Sequence, residues 1–558
     1  MKIKYLFSLL LISFWTSVSL AQNVLNERVY LQTDKQVYLA GELGYIKLVT
    51  TIQDIPVSFS KVGYVELLDT SASQVQIKLN IVDGVGEGWI HFPSSLPTGY
   101  YRLVAYTKYM QNEGQEVFFE KNIGIINPLV PEDKTERTHI SHPVTDIKEA
   151  HRNTFLLTTG RPVYSKRDKV ELKLDNLPKD IHTLSIAVTG QDPVPVSGKV
   201  DLLRWKDKLK TIPQTVPSSK YMAEYEGHIL SGKLINIETG QLEYNEAVTP
   251  FISFSGDRIR MFSGKIDKDA NVSFYTKKSD GAKEVVSTLV NYSDRRYRVD
   301  VESPFIKNHK TKQLPILNFD TIHNSKLLDR SVALQVLYAY SGDSINRFNV
   351  IGSSFLGKPF GSYLLDEYTR FRTMPEVITE FVTFVRFRKI YNKYFLSVFR
   401  KGIGYSSGNT LVLIDGIPVF DHDIVYNYNP DFIKKLEVYQ DTYILGSQIF
   451  DGVISMYTYN NDYPGLELGE STQFFDYEGT QAHRRFYAPS YETDSDKESR
   501  LPDFRHTLYW NPDVKTNGET SIVIPFYASD LSDNYTVVVE GLTKNGEVIY
   551  GTIDFGVR

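Results

Sequence analysis

Apolar and polar residues alternate with a period of two along most of this chain, the pattern of half-buried β-strands. Arg28 to Lys35 alternates, Val37 to Glu42 turns, and Tyr45 to Val49 forms a further strand. The turn Leu96-Pro97-Thr98-Gly99 feeds an alternating run from Tyr100 to Thr107. Lys169 to Leu174 alternates cleanly, and Leu184 to Val188 reads as a strand buried on both faces. Gly227 to Leu234 opens another set, Gly240 marks a hairpin, and Phe251 to Phe254 follows. Asp267 to Asn271 then turns into Val272-Ser273-Phe274. Leu411 to Ile414 is a buried run ended by Asp415-Gly416, a tight-turn dipeptide. Ile433 to Val438 is a strand with Lys434 and Lys435 outward and Leu436 and Val438 inward. Gly446-Ser447 is a turn, and Gly452 opens Val453 to Tyr457. Ser521 to Phe526, Tyr535 to Val539 and Val548 to Ile553 close the chain, with Arg505 to Trp510 as a first strand of that set.

A 3.6-residue period appears in two places. Leu328, Val332, Gln335 and Val336 predict a helix over Leu327 to Tyr340. A second helix is expected from Thr373 to Arg388: Thr373 and Glu376 form a capping box and Pro375 sits in the first turn. Its apolar face would be Ile378, Phe381, Val382 and Val385, with Arg386, Arg388, Lys389 and Lys393 near its C-terminal end. The expected division is 24–127, a β-sandwich; 128–150, a polar linker; 151–222, a second sandwich; 223–303, a third; and 304–400, a helical connector. Then come 401–460, a small α+β unit; 461–500, a loop region; and 501–558, a C-terminal immunoglobulin-like unit.

Composition sharpens the picture in three ways. Tyrosine and phenylalanine are abundant (37 and 31), which suits strands. There is no cysteine, which removes disulfides, thiol catalysis, thiolate metal sites and a lipid anchor on an N-terminal cysteine. The net charge is −5 with signs interspersed, so no basic face for nucleic acid stands out. Residues 1–21 read as a signal peptide: Lys2 and Lys4, the apolar run Tyr5 to Trp15, then Ser19 and Ala21 at the cleavage positions. No later stretch is long and apolar enough for a transmembrane span. Export to the periplasmic or cell-surface side of the outer membrane is the expectation.

Three stretches resemble known families. VYLQTDKQVYLAGE and LPTGYYRLVAYT are similar to the opening and closing strands of a macroglobulin domain. The glycine-led strand, acidic turn and aromatic strand of 223–303 resemble a carboxypeptidase regulatory-like domain. The ordered set LVLIDG, IKKLEV, GS and GVISMYT resembles the plug domain of TonB-dependent outer-membrane receptors, with Asp415, Gly416, Glu437, Gly446 and Gly452 as its structural signature. The combination resembles exported Bacteroidetes-type envelope proteins. It implies a mainly β fold of tandem immunoglobulin-like/macroglobulin-like β-sandwiches plus a small α+β plug-like domain. An importer's barrel of about 22 strands does not fit into the 100 residues after Thr458. The macroglobulin thioester is excluded by the missing cysteine.

Candidate chemistry is sparse. HExxH, GxSxG and P-loop motifs are lacking, and no catalytic, cofactor-binding or metal residue is assigned. His139 and His142 stand three apart in a polar linker and read as solvated. Asp267, Asp269, Asn271 and Ser273 mimic the start of a calcium loop without its glycine and terminal glutamate, so a β-turn is expected. Glu492, Asp494, Asp496 and Glu498 read as a surface loop, and Arg204 to Lys210 as a solvated basic segment. Trp205 and Trp510 are the candidate stacking platforms for a glycan, with burial as the alternative for each. The expected function is a non-catalytic modular cell-envelope protein, an interaction or scaffold component with a protein-complex partner. The alternatives are an accessory subunit of a TonB-linked nutrient-import or protein-export complex, and a carbohydrate-binding surface protein.

Overall fold

The computed structural model describes residues 25–129, 153–192, 200–212, 218, 220–255, 259–277, 282–290, 296–315, 317, 324–345, 354–406 and 409–558. The expected signal peptide, and His139 and His142, lie outside the described residues. The fold is mainly β, in several sheets.

The first sandwich is one nine-stranded sheet folded over on itself. Its path runs Glu27–Thr33, Leu43–Ile52, Val85–His91, Ser73–Val82, Val62–Leu68, Gly99–Tyr106, Phe119–Ile126 and Val37–Leu39, with Ile55–Pro56 beside the second of these. Alternate residues enter a common core of Leu31, Leu48, Tyr64, Leu79 and Leu103. Its large tyrosines carry their hydroxyls into the interior, where a lone O–H would be costly. They find acceptors there: Tyr38 donates to Asp34 at 2.7 Å, Tyr106 to Glu66 at 2.6 Å and Tyr101 to the Pro97 carbonyl at 2.9 Å.

The second sandwich corrects the expected division. Strands of 151–222 and of 501–558 share the same sheets. Lys169–Asp175 lies between Leu156–Thr159 and Ser521–Tyr527. Ile181–Gly190 lies between Asn534–Thr543 and Thr507–Asn511. Neither segment could cover its own apolar face, and pairing them buries Leu172, Ile186, Val537 and Phe555 together. The strand Leu184 to Val188 is buried on both faces as expected, being central in its sheet. The basic segment is the helix Leu202–Leu209, capped by Asp201, which drives Leu202 and Trp205 into the first sandwich's core and leaves its cations outward.

The third sandwich is a seven-stranded sheet from Ile229–Asn236, Thr249–Phe254, Arg260–Ile266, Asn271–Tyr275, Ala282–Val290 and Tyr297–Val301. Its seventh strand, Gln473–Glu478, comes from the expected loop region and pairs with Ala282–Val290. The acidic 492–498 stretch holds a helical turn, Asp494–Lys497, capped by Thr493. The 267–273 stretch is a tight turn in which the Asp267 carboxylate accepts from the Asp269 and Asn271 backbone amides and the Asn271 side chain.

The α+β unit is larger than 401–460. Its sheet runs Gly361–Leu364, Ile433–Leu445, Gln448–Thr458, Leu411–Ile414 and Ile417–Pro418. The expected connector 304–400 therefore contributes strands to it. The first expected helix is present as Asn324–Ile345. The second is shorter: its capping box and proline are in place, but it spans only Met374–Glu380. Phe384 turns the backbone to φ +68°, and Val385–Ile390 is a strand hairpinned to Lys393–Arg400 through Tyr391 and Asn392, both at positive φ. Val385 and Phe387 alternating with Arg386 and Arg388 is the period of a strand, and it prevails over the helical spacing upstream.

Candidate functional site

The units meet along seams that bury charge. Arg330, from the helix Asn324–Ile345, donates to Glu42 at 3.0 Å and to the Val37 carbonyl at 3.1 Å, and pairs with Asp192. Lys35 lies 2.9 Å from Glu42 and 3.2 Å from Asp34, and Thr507 donates to Asp34. One network thus ties the first sandwich, the helix and both chain segments of the second sandwich. Burial pushes the Asp192 carboxyl up to about 6 against the pull of Arg330 and Lys35. At Glu42 burial is outweighed, and Arg330 and Lys35 hold the carboxyl below its usual range. Burial, with Arg330 and Lys35, holds the His506 imidazole far below its usual value, so it is neutral there. Two tyrosine–carboxylate pairs cross between units in the same way. Tyr30 donates to Glu540 at 2.8 Å, and Tyr64 to Glu224 at 2.9 Å.

At one seam the packing leaves a cleft of about 470 Å³, within the size range of small-ligand sites. One wall is the strand Val85–His91, on which Trp89 is half-buried. Residues after Thr480 run along its open edge. There the Gln481 side-chain amide imitates a neighbouring strand, accepting from the Trp89 N–H at 2.9 Å and donating to its carbonyl at 2.8 Å. That brings the Arg484 guanidinium to 4.2 Å from the Trp89 ring centroid, and His483 onto Glu87. The other wall is Tyr509, Trp510, Asn511 and Asp513. Tyr45 packs between Phe486, at 5.1 Å, and Trp510, at 6.5 Å. Arg484 covers one face of Trp89, and Glu87, His483, Asn511 and Asp513 supply polar groups around the cleft.

The structure places both expected stacking residues inside. Trp205 is 4% exposed against Tyr30, and Trp510 is 5% exposed beneath the cleft. Trp89 is the ring that sequence reasoning missed. The signal available was the period of two, which puts Trp89 on the Glu87 face of its strand, away from Gly86 and Gly88.

The five signature residues of the α+β unit are structural. Asp415 is buried, and its carboxylate accepts from the Thr458 amide at 2.7 Å, the Thr458 hydroxyl at 2.6 Å and the Tyr463 amide at 2.9 Å. Glu437 accepts from the Tyr439 and Tyr457 hydroxyls and pairs with Lys435. Gly416 (φ +86°) and Gly446 (φ +62°) lie where a Cβ would meet Ile259 and Ser263 of the third sandwich. Gly452 (φ +106°) sits at the ladder's irregularity, where a Cβ would press on Val398 and the Tyr439 carbonyl. Two of the glycines thus let the unit dock on the third sandwich, where Leu411, Tyr439 and Phe450 share a core with Phe251 and Met261.

Fold and seams define a modular, mainly β protein. No family model matches the sequence, and no curated protein matches it. Among solved structures it is similar to Salmonella alpha-2-macroglobulin reacted with methylamine, at 9% identity and a TM-score of 0.25, covering 95% of this chain and 39% of that one. It is similar also to Escherichia coli alpha-2-macroglobulin activated by porcine elastase, at 8% identity and 0.25, covering 95% and 44%. The Escherichia coli adhesin FdeC matches at 9% identity and 0.15, covering 50% and 65%. The chain spans about two fifths of the length of the macroglobulins it matches. No helix among the described residues is long and apolar enough to cross a membrane.

Proposed function

We propose that this chain is a non-catalytic modular cell-envelope protein, an exported interaction or scaffold component at the outer membrane. The observation that carries the reading is the buried ionic seam around Arg330, which holds separate units at one relative geometry. A scaffold needs such rigidity, because surfaces on different units then face a partner in register. The plug-like identity of the α+β unit and its kinship with Bacteroidetes-type envelope proteins belong to the same proposal and rest on the resemblance of LVLIDG, IKKLEV, GS and GVISMYT in the sequence.

The test is crosslinking in intact cells followed by recovery of the protein. The expected result is one stoichiometric envelope partner, and recovery of a barrel protein would make the chain an accessory subunit of a TonB-linked import or export complex. Recovery of the protein alone, or turnover of an envelope polymer by the pure protein, contradicts the reading. Deleting 401–460 is unsuited to this test, because it would expose Phe251 and Met261 of the third sandwich. The Trp89 cleft favours a second reading, a carbohydrate-binding surface protein. Its test is a glycan array, with binding abolished by Trp89→Ala.

A further inference from the structure

Between Glu380 and Asp415 the chain carries six cations and no carboxylate, although its net charge is −5. The structure gathers five of them on the small sheet Val385–Ile390, Lys393–Arg400 and Gly404–Tyr405, with Lys401 in the turn that follows its second strand. Arg400 is neutralised by Asp451 at 2.6 Å. Arg386, Arg388, Lys389 and Lys393 have no ion pair among the described residues; Arg386 lies over the Tyr405 ring and Lys389 over Tyr394. The neighbouring carboxylate on the helix His422–Asn427, Asp423, accepts the Tyr394 amide. At the tip between Ile390 and Lys393 stands Tyr391, 100% exposed on a two-residue turn.

A solitary ring on a convex tip, flanked by unpaired cations, has no cavity to fill. It has the composition of a membrane-interface anchor: an amphipathic ring at headgroup depth with cations beside it. The hairpin is also rigid. Tyr394 stacks on Tyr426 at 3.6 Å between ring centroids, and Leu396 and Val398 bind the sheet to the core of the unit. We propose that this hairpin docks the protein on a membrane surface bearing anionic headgroups, with Tyr391 in the interface and Arg388, Lys389 and Lys393 against the headgroup charges. The inference concerns a surface apart from the cleft and the buried seam, and it adds a mode of retention to the proposed envelope role.

The experiment is sedimentation of the full chain with vesicles of phosphatidylcholine, with and without phosphatidylglycerol. Binding is expected only with the anionic lipid, falling steeply with added salt. Arg388→Ala, Lys389→Ala and Lys393→Ala should each weaken it about fivefold, and Tyr391→Ala should weaken it again. Circular dichroism checks that the variants stay folded, and the salt titration on the unaltered chain needs no variant. Equal binding to both vesicles, no binding, or a triple variant that binds unchanged overturns the proposal. So does loss of a crosslinked protein partner from the triple variant while lipid binding persists, which would assign the hairpin to that partner. Recovery of a partner with no lipid binding leaves the scaffold reading standing and removes only this one.

Discussion

Glu224→Gln isolates the energetics of one buried seam. Glu224 is fully buried where the third sandwich meets the first. It accepts from the Tyr64 hydroxyl and, at 2.8 Å, from the Ile229 amide. Burial raises its carboxyl from 4.5 to about 7, outweighing Lys108 and Lys78, which pull the other way. The folded state therefore holds this proton more tightly than the unfolded one. The resulting stability is complete below pH 4.5 and is lost as pH rises through about 7. A difference of about 2.5 units at 1.36 kcal/mol per unit amounts to about 3 kcal/mol, of which about 2 kcal/mol is lost between pH 5 and 7. Glutamine retains the acceptor oxygen and cannot ionise. Urea unfolding of both proteins at pH 5, 6 and 7 should show the variant gaining on the parent by that amount. Burial holds the His228 imidazole, 4.0 Å from Glu224, far below its usual value, so it is neutral over this range, and Lys78, lowered to about 8 by burial, stays largely charged. Parallel pH dependences would refute the claim that Glu224 is protonated in the fold.

Three further outcomes follow from packing. Arg330→Met leaves Glu42 and Asp192 buried without their shared cation and should cost about 3–5 kcal/mol in denaturant unfolding. Trp205→Ala empties a site in the first core and should cost about 3–5 kcal/mol by the same measure, leaving any glycan binding at Trp89 intact in the folded protein. Gly416→Ala adds a Cβ at φ +86° against Ile259 and Ser255, and should cost about 1–3 kcal/mol, read as faster proteolysis between the α+β unit and the third sandwich.

Local chemistry was legible wherever one turn or one strand decided it. Leu411–Ile414, the Asp415-Gly416 turn, the Gly446-Ser447 hairpin and the Thr373 capping box all stand where the residues place them. The 373–388 helix overran because Ile378, Phe381, Val382 and Val385 satisfy a helical spacing, while the strand signal in Val-Arg-Phe-Arg begins within that stretch. Partner choice between distant strands was not legible. Leu172 and Leu174 alternate as they would against any sheet, and nothing local names Ile522 and Ile524 as neighbours. The buried seams were hidden for a related reason. Asp34, Lys35, Glu42 and Arg330 look like surface charges until the fold surrounds them. The cleft shared that fate, because Trp89 and Arg484 come from segments far apart in the chain.

The two-segment second sandwich imposes an order in time. A chain emerging from its N-terminus can pair all the strands of the first sheet from residues 27–126 alone, before Leu202 and Trp205 complete its core. The strand Ile181–Gly190 must then wait, because Ser185 meets Glu540, 355 positions later. Until that arrives, an apolar strand lacks both its sheet neighbours and is open to wrong pairing. The last strands to appear therefore complete a unit begun early, and an interrupted chain lacks part of a unit that its first third has already started.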